Sequence, residues 1–144
     1  MRLHSLQIPG GWKVVQNHFY DITPVDALDG DRLDFPFIED ILQLTNDHLR
    51  MTLDLGWYPN GDPSGYYRLL LIQWKKPPAN GDMPKRTIRI NRSGIEYLYT
   101  LQPLVTGDAW LHPLVEVSSR DKNEIADHIN NTLAMVEHGQ IGTP

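Results

Sequence analysis

Hydrophobic and polar residues alternate with a period of two along much of the chain, which is the spacing of a β-strand with two different faces. The clearest example is residues 48–58, where every second residue is large and apolar: Leu49, Met51, Leu53, Leu55 and Trp57. This pattern predicts a strand with one face in the core and one in solvent. Weaker alternation predicts further strands over 12–20 and 114–117, and a hairpin of two strands over 86–91 and 95–101 with its turn at 92–94.

Residues 66–74 differ because they are apolar on both faces except at Arg68 and Gln73. Such a run is typical of a central strand that is covered on both sides. A further strand is predicted over 41–45, joined to the next by a tight turn at Asn46 and Asp47, since both residue types tolerate positive φ.

The segment 36–44 also allows another interpretation. Phe37, Ile41 and Leu44 fall at helical spacing, so a short helix competes with the strand over 41–45. The strand is the preferred prediction.

One helix is predicted near the carboxyl end, over about 120–138. Ser119 is the expected N-cap, Gly139 is the expected stop, and four residues form one apolar stripe: Ile125, Ile129, Leu133 and Val136. An antiparallel meander of about five to seven strands packed against this helix is an α+β fold. A chain of 144 residues is expected to form it as a single domain over 1–144.

Charge is distributed unevenly along the chain, whose net charge is −5. Between positions 21 and 54 nine carboxylates face only two basic residues, and much of this segment, about 23–36, is predicted to be an acidic loop. Between 75 and 92 six Lys and Arg residues face one Asp, and edge protection of a sheet is the preferred interpretation of that segment. The acidic balance disfavours a general nucleic-acid binder.

The sequence offers little support for catalysis or for a cofactor. It has no cysteine, no phosphate-binding glycine loop and no nucleophile elbow, and its six histidines are scattered without metal-ligand spacing. We therefore expect no enzyme, no metal and no cofactor. Residues 1–11 lack the apolar run of a secretory signal and no segment is apolar enough to span a bilayer, so we expect a cytoplasmic protein that has no membrane partner.

Two adjacent stretches resemble a known group of proteins. They are similar to a pattern in small bacterial immunity proteins of contact-dependent growth inhibition and related polymorphic toxin systems. The two stretches are LDLGWYP at 53–59 and DPSGYYRLLLI at 62–72. The similarity covers about 49–74, and the later strands and the helix match in layout. It implies a cytoplasmic protein that binds the toxic C-terminal domain of a cognate effector, often a nuclease, and blocks its active site.

Charge alone selects the residues that would contact such a toxin. A nuclease holds phosphates in a basic cleft, so fixed carboxylates on an inhibitor would complement it. The candidates for partner binding are Asp29, Asp31, Asp34, Glu39 and Asp40. A monomer is expected on this hypothesis.

The alternatives are an acidic secretion chaperone or adaptor, which would usually be a dimer with a large apolar surface, and an enzyme with a pocket that gathers His18, His48 or His112.

Overall fold

The computed structural model describes residues 1–74, 86–92, 95–101 and 107–141. For 86–92, 95–101 and 107–108 it describes the backbone only. The described residues contain nine strands and one α-helix: β1 (Lys13–Asn17), β2 (Leu28–Asp29), β3 (Arg32–Leu33), β4 (Leu42–Asn46), β5 (Met51–Tyr58), β6 (Tyr66–Gln73), β7 (Arg86–Arg92), β8 (Ile95–Leu101), β9 (Val115–Ser119) and α1 (Lys122–Glu137). Two short 3-10 helices cover Pro24–Ala27 and Gly107–Trp110.

Five of the strands form one antiparallel sheet in the order β1, β4, β5, β6, β9. Together with α1 this sheet confirms the predicted α+β fold. The hairpin β7–β8 is also confirmed, but it forms a two-stranded sheet of its own, and so does β2–β3. The meander is therefore interrupted, because β9 pairs with β6 after the intervening hairpin. The lysines of the basic segment at 75, 76 and 85 lie outside the described residues.

The core lies between one face of the sheet and α1. All four apolar residues of the predicted helical stripe are buried, and so are the alternating residues of β5, which are at most 1% exposed: Met51, Leu53, Leu55 and Trp57. Each fully buried large side chain stabilises the fold by roughly 1.5–3 kcal/mol relative to exposure. Both periodicities in the sequence therefore identify the core correctly.

The prediction that the second face of β5 is solvent-exposed was wrong. On this face Thr52 is 3% exposed, Gly56 is buried and Asp54 is partly buried. In the antiparallel register Thr52 lies opposite Ile72 and Asp54 opposite Leu70, and both of these β6 residues are buried too. Alternation establishes that a strand has two different faces, but it does not determine what covers the more polar one.

The turn between β4 and β5 also differs from its prediction. Asn46 pairs with Met51, so the turn covers 47–50, and the residue with positive φ is Arg50 at +57° instead of Asn46 or Asp47. Asn46 is buried as the last residue of β4, and its Oδ1 accepts a hydrogen bond from the Leu49 N–H at 2.9 Å. The asparagine therefore closes the turn through its side chain and not through its backbone conformation.

The N-cap of α1 lies two residues later than predicted. Asp121, not Ser119, is the N-cap, and its carboxylate accepts hydrogen bonds from the backbone N–H groups of Asn123 and Glu124. Ser119 is the last residue of β9, and its hydroxyl oxygen accepts from the Asp121 N–H at 3.0 Å. The predicted stop is confirmed, since Gly139 follows the helix with φ of +71°.

Candidate partner-binding surface

Two carboxylates of the acidic segment form ion pairs with basic side chains of this chain. Asp21 forms ion pairs with Lys122 of α1 and with Arg2, the latter at 3.6 Å, while Asp47 lies 3.5 Å from Lys13. The hydrogen bond from Lys122 is the main reason that the pKa of Asp21 lies below its usual value. These two acids therefore connect the acidic segment to α1 and to β1.

The predicted acidic loop is an ordered structure that contains the hairpin β2–β3. Its two-residue turn is Gly30 and Asp31, and Gly30 has the φ of +64° that such a turn favours. Leu33 anchors the hairpin, because its side chain is buried in the core and its N–H donates to the carbonyl of Gly61 at 2.8 Å. Asp31 is thereby exposed at the tip.

A groove runs beside this hairpin, and it contains two of the five candidate residues. Its volume is about 360 Å³, and its lining consists of Met1, Ile22, Asp26, Ala27, Leu28, Asp29, Asp34 and Phe35. We call it the acidic–apolar groove, because three carboxylates border an apolar lining. The structure thus places Asp29 and Asp34 in the lining of the same groove. Asp31, Glu39 and Asp40 do not line it.

Glu39 and Asp40 form a bulge over the second face of β5. The backbone on either side of them is hydrogen-bonded to β5. The Ile41 N–H donates to the Leu55 carbonyl at 3.0 Å, and the Trp57 N–H donates to the Ile38 carbonyl at 2.8 Å. The two acids lie between these two hydrogen bonds, and the backbone of Glu39 lies against Gly56. A Cβ atom on Gly56 would lie 2.1 Å from the Glu39 carbonyl oxygen, so only glycine fits beneath this bulge.

The bulge brings Asp40 close to a carboxylate that sequence reasoning did not select. Burial, and after it the charge of Asp40, raise the pKa of Asp54 to about 6, against an opposing effect of Arg68. Arg68 itself lies 3.2 Å from Glu116 of β9 and stands over the ring of Tyr58 at 5.9 Å from its centroid. Burial is also the main reason that the pKa of Tyr58 is raised.

A signal for this second acidic feature was present in the sequence. Glycine within a strand pattern often marks a bulge or the close approach of another backbone segment. Gly56 has that position, but the sequence does not say which segment approaches. Sequence reasoning missed Asp54 and Tyr58 of β5, Arg68 of β6 and Glu116 of β9. Residues of these three strands come together only through the pairing register of β5, β6 and β9.

The carboxylates of four of the five candidate residues have neither an ion pair nor a hydrogen bond among the described residues. In the part of the chain that the structure describes, Asp29, Asp31, Glu39 and Asp40 are exposed and form no ion pair. Asp34 is exposed as well, and its Oδ1 accepts a hydrogen bond from the neighbouring Phe35 N–H at 2.8 Å. The described side chains include fifteen carboxylates against seven Lys and Arg residues. The surface around β2–β3 and the bulge is therefore acidic and not internally neutralised.

Comparisons with known proteins add no assignment. No protein-family model matches this chain, and the comparisons with curated proteins and with solved structures also return no match. Among the described residues no group of three or more His, Asp or Glu side chains has the arrangement of a metal site. A membrane-spanning helix is likewise not found among the described residues.

Proposed function

We propose that this protein is a cytoplasmic immunity protein that binds and neutralises the C-terminal toxin domain of a contact-dependent growth inhibition effector. The toxin domain would be a nuclease whose basic cleft is occluded by the acidic surface. The observation that carries the proposal is the group of exposed carboxylates without ion pairs, Asp29, Asp31, Glu39 and Asp40, on the described surface. Unpaired charges of one sign complement a phosphate-binding cleft and accelerate association with it.

The residues of the resemblance have a structural role that leaves the acidic surface free to vary. Trp57 is fully buried, and its indole N–H donates to the carbonyl of Asp62 at 2.8 Å. A Cβ atom on Gly65 would lie 2.6 Å from the Tyr58 carbonyl oxygen and 2.7 Å from the Trp57 indole nitrogen. This stretch stabilises the turn between β5 and β6. Contacts with different toxins would then depend on other residues.

The first experiment is co-expression with the C-terminal domain encoded immediately upstream of this chain, if the locus encodes one. We expect that cells survive and that the two proteins co-purify as a one-to-one complex. Absence of such a domain, or death of the cells despite soluble expression of this chain, would overturn the immunity function. A dimeric chain that holds unfolded clients would instead favour the secretion chaperone, and turnover of a small molecule would favour an enzyme.

A second experiment tests the mode of binding. Neutralising all five candidate residues (Asp29→Asn, Asp31→Asn, Asp34→Asn, Glu39→Gln and Asp40→Asn) should weaken toxin binding at least about tenfold at low salt and flatten its salt dependence. The control neutralises three exposed acids of α1, Glu124, Asp127 and Glu137, and should have a smaller effect per charge. Unchanged affinity and salt dependence in the five-residue variant would refute acidic docking.

A further inference from the structure

The acidic–apolar groove differs from the rest of the acidic surface because it offers apolar contact area together with charge. Leu28 is 53% exposed and Phe35 is 40% exposed, and both line the groove. Val25, on the adjacent 3-10 helix, is 79% exposed. Single exposed apolar residues are ordinary on protein surfaces, but a group of them bordered by polar residues is typical of a protein-binding site.

The aromatic residue of this groove is already fixed in position. The Phe35 ring contacts the His18 ring edge-on at a centroid distance of 5.2 Å and the Tyr20 ring at 5.9 Å. Such contacts restrict the rotamers of Phe35 before any partner binds. A fixed aromatic ring loses little conformational entropy on association, which favours it as an anchor for binding.

Three carboxylates, Asp26, Asp29 and Asp34, border the apolar lining, and none of them forms an ion pair with a side chain in the described part of the chain. Arg32 lies opposite Asp29 in the β2–β3 register, but its guanidinium donates to the carbonyl of Asn60 at 2.9 Å and forms no ion pair with Asp29. Asp26 accepts hydrogen bonds from Thr23, and Asp34 accepts one from the Phe35 N–H. Three carboxylates therefore border Leu28 and Phe35 without an ion pair to any described side chain.

We propose that the acidic–apolar groove is the principal docking site for the toxin, and that it binds a segment in which one large apolar side chain stands between Lys or Arg residues. This inference rests on the proposed function and narrows its surface to Leu28, Asp29, Asp34 and Phe35. Charge complementarity selects the occupant: the carboxylates repel anionic ligands such as nucleic acid, and a purely polar cation would leave the apolar lining unused.

The test separates the apolar contribution from the charged one. Leu28→Ser should weaken toxin binding about five- to tenfold at all salt concentrations, because it removes apolar contact area. Asp29→Asn with Asp34→Asn should weaken it about five- to thirtyfold at low salt and less at about 0.5 M salt. The asparagine at position 34 can still accept from the Phe35 N–H. The matched control, Asp127→Asn with Glu137→Gln on α1, makes the same change in net charge and should change affinity less than about twofold.

These outcomes distinguish failure of the inference from failure of the proposed function. If the wild-type chain binds and protects while Leu28→Ser binds equally well, or while the α1 control is as weak as the groove variant, the groove is not the docking site although the immunity function stands. Thermal unfolding of each variant verifies that it is folded. Wild-type self-association that high salt dissolves and Asp29→Asn with Asp34→Asn abolishes would place a second copy in the groove and overturn the assignment to a toxin.

A second probe makes the groove testable even if no toxin is bound. We would titrate the labelled chain with a synthetic peptide that carries one Phe flanked by arginines, and compare it with peptides in which the arginines become glutamates or the Phe becomes serine. NMR shifts concentrated at Leu28, Asp29 and Phe35, with the first peptide alone, would support the docking site. Equal shifts with the serine peptide, or no shifts there, would refute it.

Discussion

Asp54 is a carboxylate that the fold keeps at an energetic cost, so its replacement by asparagine should stabilise the protein at neutral pH. The side chain lies on the second face of β5, between Gln43 of β4 and Leu70 of β6 in the register. Burial and the nearby Asp40 raise its pKa from 3.8 to about 6. In the described part of the chain it accepts no hydrogen bond and forms no ion pair, so asparagine would break no contact of this kind.

The magnitude follows from the difference between the folded and unfolded pKa. The rise in the pKa of Asp54 from 3.8 to about 6 corresponds to about 3 kcal/mol of lost stability for the ionised form, since one pKa unit is worth about 1.4 kcal/mol. Asp54 keeps partial access to water and to the opposing charge of Arg68, so we expect about 1–2 kcal/mol. The sign follows from the raised pKa: the folded state holds the proton more tightly, and ionisation therefore destabilises it. The cost is nearly absent below about pH 4, grows between about pH 4 and 6, and is complete above about pH 7.

Urea unfolding of wild type and Asp54→Asn at about pH 4 and pH 8 tests this reasoning. Fluorescence of the buried Trp57 and Trp74 reports the transition. We expect the variant to be more stable than wild type at pH 8 and nearly equal at pH 4. The control Asp127→Asn, an exposed carboxylate of α1, should stay within about 0.5 kcal/mol of wild type at both pH values. A destabilising effect of Asp54→Asn at pH 8, or a stabilisation that does not change with pH, would refute the account.

Three further substitutions test the fold. Gly56→Ala should lower the free energy of unfolding by at least about 3 kcal/mol, because the added Cβ cannot fit beneath the bulge. The control Gly10→Ala places its Cβ in open space and should change this free energy by less than about 1 kcal/mol. Similar values for the two variants in urea unfolding would contradict the close approach of Glu39 to Gly56. Asp121→Ala should lower the free energy of unfolding by about 1 kcal/mol and reduce the protection of the Asn123 and Glu124 amides against hydrogen exchange. Unchanged protection of these amides would show that the Asp121 cap is dispensable. Ile129→Ala should cost about 2–5 kcal/mol by calorimetry, and a loss below about 1 kcal/mol would mean that α1 does not contribute to the core as its burial indicates.

Local pattern was enough to predict most of the elements. The strand over residues 51–58 and the helix over 122–137 follow from periods of two and of 3.6, because each of these elements must bury one apolar face. The strand over 66–73 follows from a run that is apolar on both faces. Turn and cap residues were less certain. Ser119 and Asp121 are both good N-caps, and the choice between them depends on where β9 ends, which the pairing of Ser119 with Tyr67 determines.

The candidate site required long-range information for a similar reason. Charge clustering selected the five carboxylates, but it does not distinguish acids that the fold neutralises from those that remain free. Asp21 is paired because α1 brings Lys122 to it from 101 positions away, while Asp29 is free because Arg32 turns to Asn60. Whether a charge is available to a partner depends on such contacts.

Local periodicity and composition predict an apolar core between strands and one C-terminal helix, and they place half of the acids in one quarter of the chain. The groove that Asp29 and Asp34 share with Leu28 and Phe35 is visible only in the folded chain, and so is the bulge of Glu39 and Asp40 over Gly56 toward Asp54. These arrangements arise from pairing register and backbone approach between distant segments, and a linear pattern encodes neither of them.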